Sequence, residues 1–263
     1  MVHVDETLCV GCGMCMSDCI SSNIEIRERK AVIKKECFLC GHCVAVCPIG
    51  ALSIPEYDMD DVEEFDEETF SLDPENVLHS IKFRRSIRNY RDEEVEQEVL
   101  EKLLQAGRYT ATAKNNQDCT FVFVQKELDT LKEMVWNYID NIKAPEGEKL
   151  SRDVLPYIAF NRRRKADASD DYLFRNAPVV LFITSDWPLD AGLAAQNIEN
   201  MAVSLELGAL YNGFLTRIAD VNEDVKKWLG IEGKTIKATM LLGYPKTYYA
   251  RTAPRKAANV IWK

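Results

Sequence analysis

CVGCGMCMSDC at residues 9–19 and CFLCGHCVAVCP at residues 37–48 decide how this chain is read. Each run spells C-x2-C-x2-C-x3-C, first through Cys9, Cys12, Cys15 and Cys19, then through Cys37, Cys40, Cys43 and Cys47. Eight of the nine cysteines lie here, so the segment is organised around thiolates. Thiolates at these spacings suit cubane iron–sulfur clusters, because short loops wrap one cluster while the fourth cysteine reaches away. A disulfide framework needs an oxidising compartment, and no secretory signal opens the chain. Zinc sites pair two separated C-x2-C motifs, which is not this pattern. The two runs are halves of an internal repeat with an offset of 28 residues: Cys9 maps onto Cys37, Cys19 onto Cys47, Ile24 onto Leu52 and Ile26 onto Ile54. Residues 23–26 and 51–54 alternate with period two and read as strands, as do residues 2–4 and 31–33.

The segment resembles the bacterial two-cluster ferredoxins over about the first 55 residues. That resemblance implies an exchange of fourth ligands between the halves. Cys9, Cys12, Cys15 and Cys47 would hold one 4Fe–4S cluster, and Cys37, Cys40, Cys43 and Cys19 the other. Ile20 stands where the pattern has proline, which touches the local turn and not the ligand set.

At 263 residues the chain is too long for such a domain alone. Composition and breaks divide it into residues 1–56, an acidic linker at 57–72, and a larger domain at 73–263. The linker carries eight Asp and Glu between Tyr57 and Phe70 and reads as a solvated stretch, or as a wrapping segment anchored by Phe65 and Phe70. A net charge of −9 argues against a nucleic-acid partner. No apolar run approaches membrane-spanning length. Cysteine usage points to a reducing cytoplasm.

The larger domain opens on Asp73-Pro74-Glu75, an N-cap followed by proline at the first helical position. Helical periodicity continues through Val77, Leu78 and Ile81, and again over residues 94–104 and 128–142. Residues 120–125, 179–184 and 235–242 read as strands. Residues 189–207 form a small-residue helix, apolar nearly all round, which suits a central element or a subunit interface. Helices and strands alternate without tight βαβ spacing, which predicts an α+β fold.

Three polar stretches carry chemistry. Arg84, Arg85, Ser86 and Arg88 set three guanidiniums and a hydroxyl between helices, a grip suited to phosphate. Residues 110–117 make an amide-rich turn that can face a heterocycle or serve as an ordinary Asx turn. Arg251, Arg255 and Lys256 make the C-terminal segment basic. A further run, Arg162-Arg163-Arg164-Lys165, reads as a solvated loop, or as a lid or docking patch for an acidic partner. Cys119 reads as a buried strand residue.

In their order these stretches resemble the FMN-dependent nitroreductase family. The carriers are Arg84-Arg85-Ser86-Ile87-Arg88, Asn115-Asn116-Gln117, Ala177-Pro178, Leu207-Gly208, Gly243-Tyr244-Pro245 and the basic C-terminal segment. Asp118-Cys119 departs from the family's usual Pro-Trp. The resemblance implies that Arg84, Arg85, Ser86 and Arg88 hold the FMN phosphate and ribityl chain, with Arg255 or Lys256 as a second grip. Asn115 would face the isoalloxazine ring, supported by Gln117. It further implies a homodimer with FMN between subunits, and NAD(P)H docking transiently with no domain of its own. No side chain stands out as a catalytic acid or base.

The expectation is an iron–sulfur flavoprotein oxidoreductase passing electrons between 4Fe–4S clusters and FMN to reduce an electron-poor small molecule, of nitroaromatic type. The alternatives are an electron-transfer relay, or an FMN reductase of enones, quinones or halogenated aromatics. The donor is left open between NAD(P)H and ferredoxin.

Overall fold

The computed structural model describes residues 1–144 and 149–263. It separates into two compact units, one of Met1–Leu72 with Thr112–Asn116, the other of Asp73–Ala111 with Gln117–Lys263.

The first unit repeats itself. It runs β1 (His3–Val4), α1 (Met14–Asp18), β2 (Ile24–Arg27), β3 (Lys30–Ile33), α2 (His42–Ala45) and β4 (Leu52–Ser53). β1 pairs antiparallel with β4, and β2 with β3. The β2–β3 connection is a two-residue turn with both residues left-handed, Glu28 at φ 46° and Arg29 at φ 61°. That geometry matches the twist of the flanking strands. Val2, Ile24, Ala31, Ala51, Leu52 and Ile54 form a small core around buried Cys9, Cys15 and Cys43. A core this small needs further support, as domains of this size commonly do.

The acidic stretch is partly ordered. Asp58 caps a 3-10 turn at Met59–Asp61, and Asp66 caps the short helix α3 (Glu67–Phe70). Phe65 and Phe70 meet each other, ring centroids 5.3 Å apart, and both stay exposed.

The second unit runs α4 (Pro74–Phe83), α5 (Gln97–Arg108), β5 (Thr120–Val124), α6 (Leu128–Asp140), α7 (Leu155–Ala166), β6 (Val179–Thr184), α8 (Pro188–Ser204), β7 (Gly208–Tyr211), α9 (Gly213–Asp220), α10 (Glu223–Trp228) and β8 (Ile236–Gly243). Its four strands pair antiparallel in the order β5-β6-β8-β7. Val180, Phe182 and Leu241 face a core shared with α6, α7, α9 and α10. Val179, Leu181, Ile183, Met240 and Leu242 face a second core shared with α5 and α8. Helices cover both faces, so β6 is buried at all six positions and reads as an unbroken apolar run. The fold is α+β.

Three of the sequence motifs are close backbone approaches. A Cβ at Gly243 would stand 2.5 Å from Pro178 Cδ, so the Gly-Tyr-Pro and Ala-Pro motifs are two sides of one contact. A Cβ at Gly208 would stand 2.4 Å from Ile87 Cγ1, which ties Leu207-Gly208 to the arginine segment. Gly107 lets α5 approach α8, since its Cβ would lie 2.8 Å from Ile198 Cδ1.

The basic run at residues 162–165 occupies the last turn of α7 and is not a loop. Its charges favour the helix C-terminus. Arg163 donates to both Asp170 oxygens at 2.7 and 3.0 Å, Arg164 lies over the Trp136 ring, and Lys165 pairs with Asp140. Leu155-Pro156 at the helix start was the available signal. Among the described residues no helix is long and apolar enough to cross a membrane.

Candidate functional sites

The eight repeat cysteines ring two cavities. One is lined by Cys9, Cys12, Cys15 and Cys47, the other by Cys19, Cys37, Cys40 and Cys43. Each cavity draws three cysteines from one run and the fourth from the other. The backbone is equivalent in the two halves. Gly13 and Gly41 are left-handed at φ 81° and 77° and start α1 and α2, each of which places a buried cysteine, Cys15 or Cys43. Glycine reaches that φ at no steric cost. Gly11 is also required, because a Cβ there would lie 2.3 Å from Arg29 O at the hairpin tip.

Backbone donors aim at the sulfurs. Asn23 N donates to Cys19 Sγ and Ala51 N to Cys47 Sγ, both at 3.3 Å, and Ala31 N donates to Cys9 Sγ at 3.4 Å. Such bonds favour the charged thiolate and orient it. Burial pushes the Cys43 thiol up to about 11 and raises Cys15 as well. Burial acts the same way on Cys19, but hydrogen bonds from Ser21 and the Asn23 backbone outweigh it and hold that thiol below its ordinary value. Among the described residues no trio of His, Cys, Asp or Glu gathers to hold a single metal ion. Four sulfurs around a void suit a cluster, whereas zinc needs them about 2.3 Å from one point.

The second site lies in the second unit. A cavity of about 820 Å³ is lined by Lys82, Arg84, Arg85 and Arg255, with Gln196 and Asn200 of α8. Its size suits an organic cofactor and its charge an anionic one. Arg84 caps the C-terminus of α4, donating its N–H to Ser80 O at 2.9 Å. The following residues dock on the outer edge of β7: Ser86 bridges Ala209 in parallel, and Ile87 N donates to Ala209 O at 3.0 Å. Tyr90 secures the far end, its hydroxyl donating toward Ile87 O at 2.9 Å and Leu241 O at 3.1 Å. Arg85 Nη1 donates to Arg84 O at 2.6 Å, while its Nη2 is buried with no hydrogen-bond partner in the protein. An orphaned guanidinium nitrogen is costly unless a ligand oxygen meets it. The residues present therefore fit an anionic group.

The other expected residues fall elsewhere. Ser86 and Arg88 do not line this cavity, and Arg88 Nη1 turns back to Ser86 O at 3.4 Å. Lys256 is exposed one residue beyond Arg255. Asn115 belongs to the first unit, where its amide donates to Leu39 O at 3.0 Å and Phe38 O at 3.2 Å. Lys114, Asn115 and Gln117 are left-handed at φ 54°, 55° and 48°, a concentration of uncommon backbone of the kind that collects at functional loops. Asp118 accepts from Ser185 Oγ at 3.1 Å and from Asp186 N at 2.6 Å, tying the start of β5 to the turn before α8. Cys119 is half-buried and precedes β5, and burial raises its thiol.

Sequence reasoning missed Glu199. It is buried on α8 at 2% exposure, and its Oε1 accepts from Arg84 Nη1 at 3.0 Å. Burial raises its carboxyl, and the Arg84 charge opposes the rise.

Two family models match the chain. The nitroreductase family covers residues 81–244, and the 4Fe-4S dicluster domain covers residues 8–51. A Methanothermobacter thermautotrophicus protein named as a candidate NADH dehydrogenase/NAD(P)H nitroreductase is 30% identical over 65% of this chain and 78% of its own length. An uncharacterized ferredoxin of Methanocaldococcus jannaschii is 37% identical over 20% of this chain and 92% of its own length. Among solved structures, a nitroreductase with bound FMN from Bacteroides fragilis aligns with TM-score 0.57 at 20% identity, covering 71% of this chain and 98% of that one. A nitroreductase with bound FMN from Desulfitobacterium hafniense aligns with TM-score 0.54 at 21% identity, covering 70% and 98%. At these identities the likeness is one of fold. The family match across residues 81–244 and the dicluster match across the paired cysteine cradles place the chain in the nitroreductase family, with a 4Fe-4S dicluster domain in its N-terminal part.

Proposed function

We propose that this protein is an iron–sulfur flavoprotein oxidoreductase that exchanges electrons between two 4Fe–4S clusters and FMN to reduce an electron-poor small molecule of nitroaromatic type. The observation that carries the reading is one chain holding two four-cysteine cradles and a separate basic cavity sized for an organic anion. The clusters supply one-electron steps and FMN, when bound, both one- and two-electron chemistry. The protein's part is to bind and orient. Arg84, Arg85 and Arg255 would hold the anionic end of the cofactor, in keeping with the resemblance that also assigns Ser86, Arg88 and Lys256 there. Asn115 is proposed to face the ring, with Gln117 supporting it.

Anaerobically purified protein is expected to carry about eight irons and one FMN per chain, read by iron analysis and flavin release. Zinc in place of iron, or a chain that takes up no flavin, overturns the reading. Stopped-flow mixing with NADH or NADPH then identifies the donor. Fast flavin bleaching assigns it to the nicotinamide, and reduction only by a reduced ferredoxin assigns entry to the clusters.

A homodimer is part of the same proposal. In one chain the apolar face of α4, through Val77, Leu78 and Ile81, is uncovered, as are Val260, Ile261 and Trp262 near the C-terminus. Clustered exposed apolar side chains are normally covered by a partner, and symmetric dimers are the commonest solution. Light scattering should give a mass of about 60 kDa, twice the 30.0 kDa chain. Truncation after residue 257 should shift the species toward monomer; a monomer in the intact protein would refute the dimer.

A further inference from the structure

We propose that Glu199 is the positioning residue for the phosphate grip, holding the Arg84 guanidinium in the orientation that presents it to the anionic end of FMN. The proposal rests on the reading of the basic cavity as the FMN phosphate site.

Arg84 reaches the cavity on a long side chain with many rotamers, from the end of a helix whose residues are all outside the core. A side chain of that kind binds an anion well only when something fixes its planar fork beforehand. Glu199 does so from a well-packed element, the helix α8, whose Ala191, Ala194, Ala195, Ile198 and Ala202 are fully buried. Its Oε1 takes one edge of the guanidinium at 3.0 Å. Its Oε2 accepts from Gln196 Nε2 at 3.2 Å, and Gln196 itself lines the cavity. One arginine edge is thereby satisfied and another is left for a phosphate oxygen pair.

A bland stabilising ion pair explains this arrangement poorly. Arg84 is 26% exposed at the cavity while Glu199 is buried, so the carboxylate bears the desolvation cost and the arginine faces the opening. Buried pairs of that kind are weak sources of stability. The charge balance also fits. Lys82 and His79 on α4, Arg84 and Arg85 in the docked segment, and Arg255 near the C-terminus all line the cavity. Glu199 removes one unit from that set and leaves it positive. Tyr211 on β7 also feels Glu199: burial first, then the carboxylate charge, hold its hydroxyl in the neutral form.

The test compares FMN with riboflavin, which lacks the phosphate. Both are titrated into the full-length protein after flavin removal, by quenching of flavin fluorescence. Glu199→Ala is expected to weaken FMN about tenfold and riboflavin little, so the ratio of the two affinities collapses. Glu199→Gln, which keeps an acceptor oxygen at the same reach, should restore the ratio to within about threefold of the parent. Placing Glu199→Ala on an Arg84→Ala background should cost nothing further, because the two residues act as one unit. Should Glu199→Ala fail to fold, Glu199→Asp withdraws the carboxylate by one methylene and should lower the ratio about threefold. Equal loss of FMN and riboflavin, an unchanged ratio, or additive losses with Arg84→Ala would overturn the positioning role. The underlying reading fails separately: if Arg84→Ala and Arg255→Ala both leave the ratio unchanged, the cavity is not the phosphate site.

Discussion

Replacing Cys19 with alanine should abolish the second cluster and spare the first, although Cys19 sits in the first cysteine run. Cys19 lines the cavity of Cys37, Cys40 and Cys43, while Cys47 crosses over to join Cys9, Cys12 and Cys15. Iron content should fall from about eight to about four per chain. Cys47→Ala should produce the same loss from the other cluster. Electron paramagnetic resonance of the reduced variants is the measurement: each should keep one 4Fe–4S signal, and the two surviving signals should differ. If Cys19→Ala instead lost the cluster of Cys9, Cys12 and Cys15, the crossed arrangement would be wrong. The effect is large because removing Cys19 leaves that cavity three of its four thiolates. The nearby Ser21 hydroxyl, 3.4 Å from Cys19 Sγ, belongs to the residue's hydrogen-bonding support.

The second large effect is expected at Gly208. A Cβ there meets Ile87 Cγ1 at 2.4 Å and Ile87 Cβ at 2.7 Å. Ile87 is β-branched and buried, so it has few rotamers in which to retreat. The strain must therefore move the segment that carries Arg84 and Arg85. Overpacking of a tight contact costs about 1–3 kcal/mol, and this one should lie near the top of that range. For a domain of this size that corresponds to a fall in Tm of roughly 6–12 °C. Gly208→Ala should also weaken FMN at least tenfold, since the arginines would no longer meet α8 in register. Differential scanning fluorimetry and a flavin titration read the two effects. A variant with parental Tm and parental flavin affinity would show that the contact yields without displacing the arginines.

What the sequence disclosed follows from how local each signal is. The cysteine runs are readable because their spacing is set by loops a few residues long. β5, β6 and β8 are readable because runs of five to eight mostly apolar residues stand between clear breaks, β-branched or aromatic nearly throughout in β5 and β6. The four residues of β7 carry no strand signal, since so short a strand has no period of its own. The basic run at 162–165 reads as a loop because its charges hide the helical pattern, and what fixes them is tertiary: Asp140, Asp170 and the Trp136 ring. The acidic stretch looked structureless by composition, yet Asp58 and Asp66 each cap a short turn. Glu199 was invisible for a different reason. A single carboxylate on an alanine-rich helix has no sequence signature, and its partner lies 115 residues away. The glycine motifs were legible as a pattern and became physical only when Gly208 met Ile87 and Gly243 met Pro178.

The docking of Ser86 and Ile87 on Ala209 has a consequence for solubility. β7 ends the sheet, and an unpaired outer edge is a template on which another chain can add a strand. Here the arginine segment occupies part of that edge, taking the Ala209 carbonyl and flanking it with Arg84, Arg85 and Arg88. Charge beside an edge repels an incoming strand as well as attracting an anion. The same five residues thus guard the sheet against self-association, and changes that loosen them expose a sticky border along with an empty grip.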